Sequence, residues 1–227
     1  MKKRPYRMTQ RAESRDETRA RIVEAAVALH EEIGPRATTI SAIAERAGVQ
    51  RLTVYRHLPD EEAVIQACSS HWTALNPAPD PVSWDSIGDP VRRVRTALRE
   101  FCAYYTQTAR MWASVRRDAA DVPAVQVPLA AYDAYVEEVA EGLADDLDAS
   151  KRARVQAAAT LRHALSFTAW QNLEELGLDD AAKVSLVERW LDGIISRGRS
   201  RAFRRRAGPK PTSTLASSAR PGACVPA

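Results

Sequence analysis

The stretch GVQRLTVYRHLPDEEA, residues 48–63, decides how this chain is read. A helix that had only to pack would carry apolar residues on its inner face and charges outside. Here Arg51, Thr53, Tyr55, Arg56 and His57 crowd around just two buriable positions, Val54 and Leu58. Gly48 is suited to end a preceding helix in the left-handed conformation, which glycine adopts without strain. Residues 50–58 are then predicted to form a short helix, and Asp60 to cap another that buries Val64, Ile65, Cys68 and Trp72. The remaining question is what the polar face between them touches.

Working outward, every periodic segment is helical and no strand-like alternation of useful length occurs. Ser14 is predicted to start the first helix through an S-x-x-E capping box with Glu17. Ile22, Ala26, Leu29 and Ile33 form its buried stripe, and Gly34-Pro35 stops it. Thr39 caps a second helix burying Ile43, Ala44 and Ala47. Four prolines in residues 76–90 disfavour helix and read as a connection. Long helical patterns follow over residues 91–119, 130–147, 151–176 and 179–196. The expected fold is all-α: an N-terminal three-helix helix-turn-helix domain, then a larger C-terminal helical bundle. The expected divisions are a basic arm (1–15), a helix-turn-helix domain (16–75), a proline-rich connection (76–90), a helical ligand-binding and dimerisation domain (91–197) and a disordered basic tail (198–227).

Charge distribution points the same way. The chain has 227 residues and a formal net charge of +4, with basic ends and an acidic body. Residues 1–21 carry eight Lys/Arg against three acids and residues 197–227 carry eight against none, while the body holds 17 against 26. Arms of that kind meet polyanions, and Lys2, Lys3, Arg4 and Arg7 suit a minor groove or backbone. Cys68, Cys102 and Cys224 are odd in number and widely spaced, so neither a disulfide framework nor a zinc knuckle is expected. No cofactor or metal is expected. No segment has the length and apolarity of a membrane span or signal peptide, so a cytoplasmic location is expected.

A tight turn at Ala47-Gly48-Val49 between two short helices makes a helix-turn-helix, whose second helix enters the major groove. Val49, Val54 and Leu58 face back toward Ile43 and Leu29. Arg51 can bond guanine bidentately, Thr53 a base or phosphate, and Leu52 can meet a thymine methyl. Tyr55, His57 and the Thr39 hydroxyl suit phosphate oxygens. A three-helix unit with a polar third helix is also compatible with an ordinary bundle.

Taken whole, ATTISAIAERAGVQRLTVYRHLPDEEAV resembles the N-terminal DNA-binding domain of the TetR family of transcriptional regulators. The matching features are Thr39, Ile43-Ala44, Ala47-Gly48-Val49, Thr53, Tyr55, His57 and Leu58, and the likeness spans residues 18–72. It implies DNA contacts by Thr39, Ser41, Gln50, Arg51, Leu52, Thr53, Tyr55, Arg56 and His57. Two positions depart from the family pattern: Gln50 stands where a serine cap is common, and Glu61 where a phosphate-binding lysine is common. Glu61 would repel a phosphate and instead suits the positive helix N-terminus.

One recognition helix buries too little surface for useful specificity, so a dimer reading a palindromic duplex operator is expected. Ala158, Leu161, Leu165 and Leu176 form one stripe, with Phe167, Trp170 and Leu173 beside it. Val184, Val187, Leu191 and Ile194 form another, with Leu186, Trp190 and Ile195 on a second side. Helices apolar on more than one side need more than one partner surface, and the resemblance implies a four-helix interface between two subunits. It also implies a repressor released by a small molecule. Tyr104, Tyr105, Trp112, Tyr132, His163, Phe167 and Trp170 are candidates to line its pocket. Enzyme motifs are missing: the four histidines lack metal-ligand spacing, and there is no phosphate loop or nucleophile elbow. Two alternatives stay open, a helix-turn-helix DNA binder without an effector and a helical ligand-binding protein whose helix-turn-helix is incidental.

Overall fold

Local capping chemistry sets the boundaries of the first helices. The computed structural model describes residues 4–206, and within them all regular structure is helical. Helix α1 (Arg4–Glu32) buries Ile22, Val23, Ala25, Ala26 and Leu29. It does not start at Ser14: that residue lies within the helix, its carbonyl accepting the Thr18 hydroxyl at 2.8 Å. Arg4 and Arg7 therefore belong to α1 rather than to an extended arm, while Lys2 and Lys3 lie outside the described residues. Ile33 falls past the helix end and is exposed.

Helix α2 (Ile40–Ala47) begins at Thr39, whose hydroxyl oxygen accepts from the Ala42 amide at 3.1 Å. It ends at Gly48, with φ +66°. Helix α3 (Arg51–His57) follows, and α4 (Glu61–Leu75) starts where the Asp60 carboxylate accepts from the Ala63 amide at 2.8 Å. Their apolar faces close over Ile22, Ala26, Leu29, Ile43, Val54 and Leu58. Burying each such aliphatic side chain is worth about 1.5–3 kcal/mol, enough to hold a seven-residue helix that could not persist alone.

The proline-rich connection is more than a spacer. Pro81–Trp84 forms a 3-10 turn, and Trp84, 1% exposed, sits in the large core against Phe101. Helices α5 (Pro90–Asp118), α6 (Gln126–Asp145), α7 (Lys151–Ala164), α8 (Phe167–Glu175) and α9 (Asp180–Arg206) build the bundle. The single helix expected over residues 151–176 is broken into α7 and α8. Ser166 caps α8 by accepting from the Ala169 amide, and the Leu165 carbonyl accepts the buried Tyr105 hydroxyl at 2.8 Å. Those two bonds, one local and one from a distant helix, replace the helical ladder at the break. Helix α9 continues past the expected limit at residue 196, so residues 198–206 are helical rather than disordered. The rest of the expected tail, with Cys224, lies outside the described residues. Among the described residues, no helix is long and apolar enough to cross a membrane.

Two hydrophobic cores result. The smaller joins α1–α4, and the larger joins α5–α9 with Trp84. Helix α4 serves both, since Val64 packs in the first and its neighbour Ile65 in the second.

Candidate functional site

The outer face of α3 stands free of the small core. Val54 and Leu58 are almost wholly buried behind it, while Arg51, Leu52, Tyr55 and Arg56 are exposed and Thr53 and His57 half-buried. Leu52 is 57% exposed and so stands free to meet a partner beside the two arginines. Neither Arg51 nor Arg56 pairs with a carboxylate among the described residues, which keeps both guanidiniums free. Arg46, by contrast, is spent on a two-pronged bond to Glu32, at 2.8 and 2.6 Å, that ties α2 to α1.

Gln50 precedes α3 without capping it through its side chain, so its amide also remains available. Thr39 uses its oxygen as a cap acceptor and keeps its own proton to donate. Ser41, in the first turn of α2, is exposed. The nine expected contact positions thus stand on α3 and at the start of α2, and none is in either core.

A second constellation joins the small unit to the bundle. Gly34, with φ +91°, lies directly against the C-terminal end of α5, where a Cβ would stand 2.2 Å from an Asp118 carboxylate oxygen. Glycine is required there by both the backbone angle and the close approach. The buried Asp118 carboxylate accepts from the Arg36 amide at 3.1 Å and from Arg117 Nε at 2.8 Å. The Arg117 hydrogen bond, helped by the Arg36 amide, holds that carboxyl below the usual carboxylate range. Ser114 donates to the His30 carbonyl at 2.7 Å. Burial pushes the His30 imidazole down to about 4, against the opposing pull of Asp118, so its ring is neutral near pH 7. None of these residues stood out in the sequence beyond the Gly34-Pro35 stop.

His30 also borders a cavity of about 170 Å³ between α4 and the α5–α6 pair. Of the seven candidate pocket residues, Tyr104, Trp112 and Tyr132 line it. Tyr105, Phe167 and Trp170 pack as the layer behind, Tyr105 within 5.5 Å of Phe167 and 5.9 Å of Trp170 between ring centroids. His163 does not belong: it is exposed on α7. Sequence reading missed the contribution of α4, which supplies Ile65, Cys68, Ser69, Trp72, Thr73 and Asn76 to the lining. Arg116 stays out of the cavity, paired with Asp133 and resting over the Trp112 ring.

On the far side of the bundle, Val184, Val187 and Leu191 turn inward from α9. Leu186, Ile194 and Ile195 are half-buried and Trp190 is exposed. Leu176, placed in an inner stripe from sequence, is instead 74% exposed, because the chain has left α8 before reaching it.

Residues 22–68 match the family model for bacterial regulatory proteins of the tetR family. In solved structures the fold is similar to a TetR-like transcriptional regulator from Rhodococcus sp. RHA1 (TM-score 0.56, 19% identity, covering 85% of this chain and 97% of that one). It is also similar to a TetR-family transcriptional regulator from Mesorhizobium loti MAFF303099 (TM-score 0.55, 13% identity, 81% and 97% covered). A third is the fatty acid degradation regulator FadR from Bacillus halodurans (TM-score 0.51, 18% identity, 76% and 93% covered). No curated protein matches the sequence. The chain therefore has a TetR-type helix-turn-helix on a TetR-like all-helical fold.

Proposed function

We propose that this protein is a cytoplasmic, homodimeric transcriptional regulator that binds a palindromic duplex operator and is released from it, as a repressor, by a small molecule. The observation that carries the proposal is the exposed face of α3, where Arg51, Leu52, Tyr55 and Arg56 project from a helix anchored by Val54 and Leu58. Arginine offers guanine a bidentate donor pair, Leu52 offers a thymine methyl an apolar contact, and Thr39 and Tyr55 offer hydroxyl protons to phosphates. Gln50, Thr53 and His57 complete the contact set, with Ser41 beside them on α2.

The partly uncovered apolar residues of α9 supply a surface for a second copy, which would place two α3 helices on one duplex. The cavity under α4 favours the effector-responsive form over a binder without ligand, because its occupant would press on a helix shared with the DNA-reading unit.

Selection of bound duplexes from a random pool tests the proposal, with a two-fold symmetric consensus as the expected result. Arg51→Ala should then weaken consensus binding by about 1–3 kcal/mol and relax preference at one base pair per half-site. Unchanged affinity and preference would remove Arg51 from the interface.

A further inference from the structure

The cavity lining specifies what kind of molecule it can hold. We propose that it takes a neutral, compact, mainly apolar molecule about the size of one aromatic ring, bearing a hydroxyl that donates a hydrogen bond. The proposal rests on the ligand-responsive function above and names the class of ligand.

Charge is the first filter. Among the described residues, no Asp, Glu, Lys or Arg lines the cavity. Its titratable members are all held in their neutral forms by burial: the His30 ring is pushed down to about 4, the Cys68 thiol up to about 12, the Tyr104 hydroxyl up to about 12, and the Tyr132 hydroxyl well above the usual range. An anionic or cationic ligand would enter without a counter-charge, and an unpaired buried charge costs several kcal/mol. Carboxylates, phosphates and amines are therefore rejected.

Size is the second filter. At about 170 Å³ the space is close to the ~150 Å³ of an apolar cavity that accommodates benzene. Trp112 and Tyr132, with ring centroids 4.3 Å apart, supply a wall on which a flat ring stacks. A long acyl chain outgrows the space.

The third filter is where the protein's own protons go. A carbonyl only accepts, so the Leu165 carbonyl takes the Tyr105 proton, and Tyr132 must donate to Tyr105 across their 2.7 Å contact. Likewise Thr73 donates to the Ser69 carbonyl at 2.8 Å. The Asn76 amide nitrogen donates to the Trp72 carbonyl at 2.9 Å, which leaves its Oδ1 as the free end. Tyr132 and Thr73 thus keep acceptor capacity after their only protons are committed, Asn76 keeps Oδ1 and one amide proton, and Trp112 brings a buried Nε1–H without a partner among the described residues, so the lining calls for a group that both donates and accepts, as a hydroxyl does. A hydroxyl donor on an otherwise apolar ring satisfies such a site.

The test uses the full chain and four probes, phenol, benzene, benzoate and dodecanoate, titrated calorimetrically near neutral pH. Phenol should bind about tenfold tighter than benzene, the worth of one hydrogen bond, and at least about a hundredfold tighter than benzoate or dodecanoate. Asn76→Ala should erode the preference for phenol over benzene. Ser69→Leu should fill the space and abolish binding of both, with the far-ultraviolet dichroism and melting profile of each variant confirming a native fold. Benzoate or dodecanoate binding as tightly as phenol overturns the proposal, as does a failure of all four to bind or a phenol preference that survives in both Asn76→Ala and Thr73→Val. Operator affinity is measured separately with and without saturating phenol. Phenol bound in the cavity with operator affinity unchanged upholds the ligand class and removes the ligand-release function instead.

Discussion

The small core and the large core are built from different materials. The first, around Ile22, Leu29, Ile43, Val54 and Leu58, is aliphatic and, among the described residues, contains no aromatic ring. The second is dominated by Trp84, Phe101, Tyr104, Tyr105, Trp112, Phe167 and Trp170. Branched aliphatic side chains interdigitate closely and hold α3 in a single pose, which suits a face that must present side chains to a fixed lattice of partners. Large flat rings pack by edge and face, and where their planes diverge under α4 they leave a space open to a guest. The two cores thus have opposite qualities of packing, one closely interdigitated and one ring-lined with a space beside it.

That contrast can be broken most forcefully at Trp84. If the proline-rich stretch truly belongs to the large core, Trp84→Ala should cost about 3–5 kcal/mol in urea unfolding, and a loss below about 1 kcal/mol would make it a simple spacer. The next largest effect concerns His30, at the border between the cores. Its folded-state pKa of about 4 lies below the ordinary 6.5, so the unfolded chain takes up the proton first. Stability should be fully present above about pH 6.5 and fall by roughly 3 kcal/mol as pH drops to 4. His30→Asn should flatten that limb of the curve; an unaltered slope would assign it to other groups. Gly34→Ala sharpens the comparison by striking the joint alone. A left-handed backbone angle and contact with Asp118 predict a loss of about 2 kcal/mol, with the isolated fold of each core, read by tryptophan fluorescence and helical dichroism, retained. The smallest effect falls within the reading unit: Thr39→Ala should cost about 1 kcal/mol of stability by uncapping α2, and Thr39→Ser should restore it.

The two cores also differ in how legible they were. Helices α2, α3 and α4 are short and end in local chemistry, the Thr39 and Asp60 caps and the Gly48 turn, which can be read from adjacent residues. The exposed and buried sides of α3 follow from the same few positions. In the bundle, the break between α7 and α8 depends on Tyr105 reaching a carbonyl 60 residues away, and periodicity carries no trace of it. The cavity likewise mixes α4 with α5 and α6, so an aromatic inventory of the bundle found three residues of its wall and added His163, which is exposed elsewhere on α7. Ser14 misled for a converse reason: a good capping sequence loses to simple continuation when the preceding residues can also be helical.

Val64 and Ile65 sit side by side on α4, one seated in each core. Successive residues of a helix point about 100° apart. A turn of α4 that moved Ile65 in the large core would therefore also move Val64 in the small one, and the side of the small core it would press on is α1, the helix on which α2 and α3 also rest.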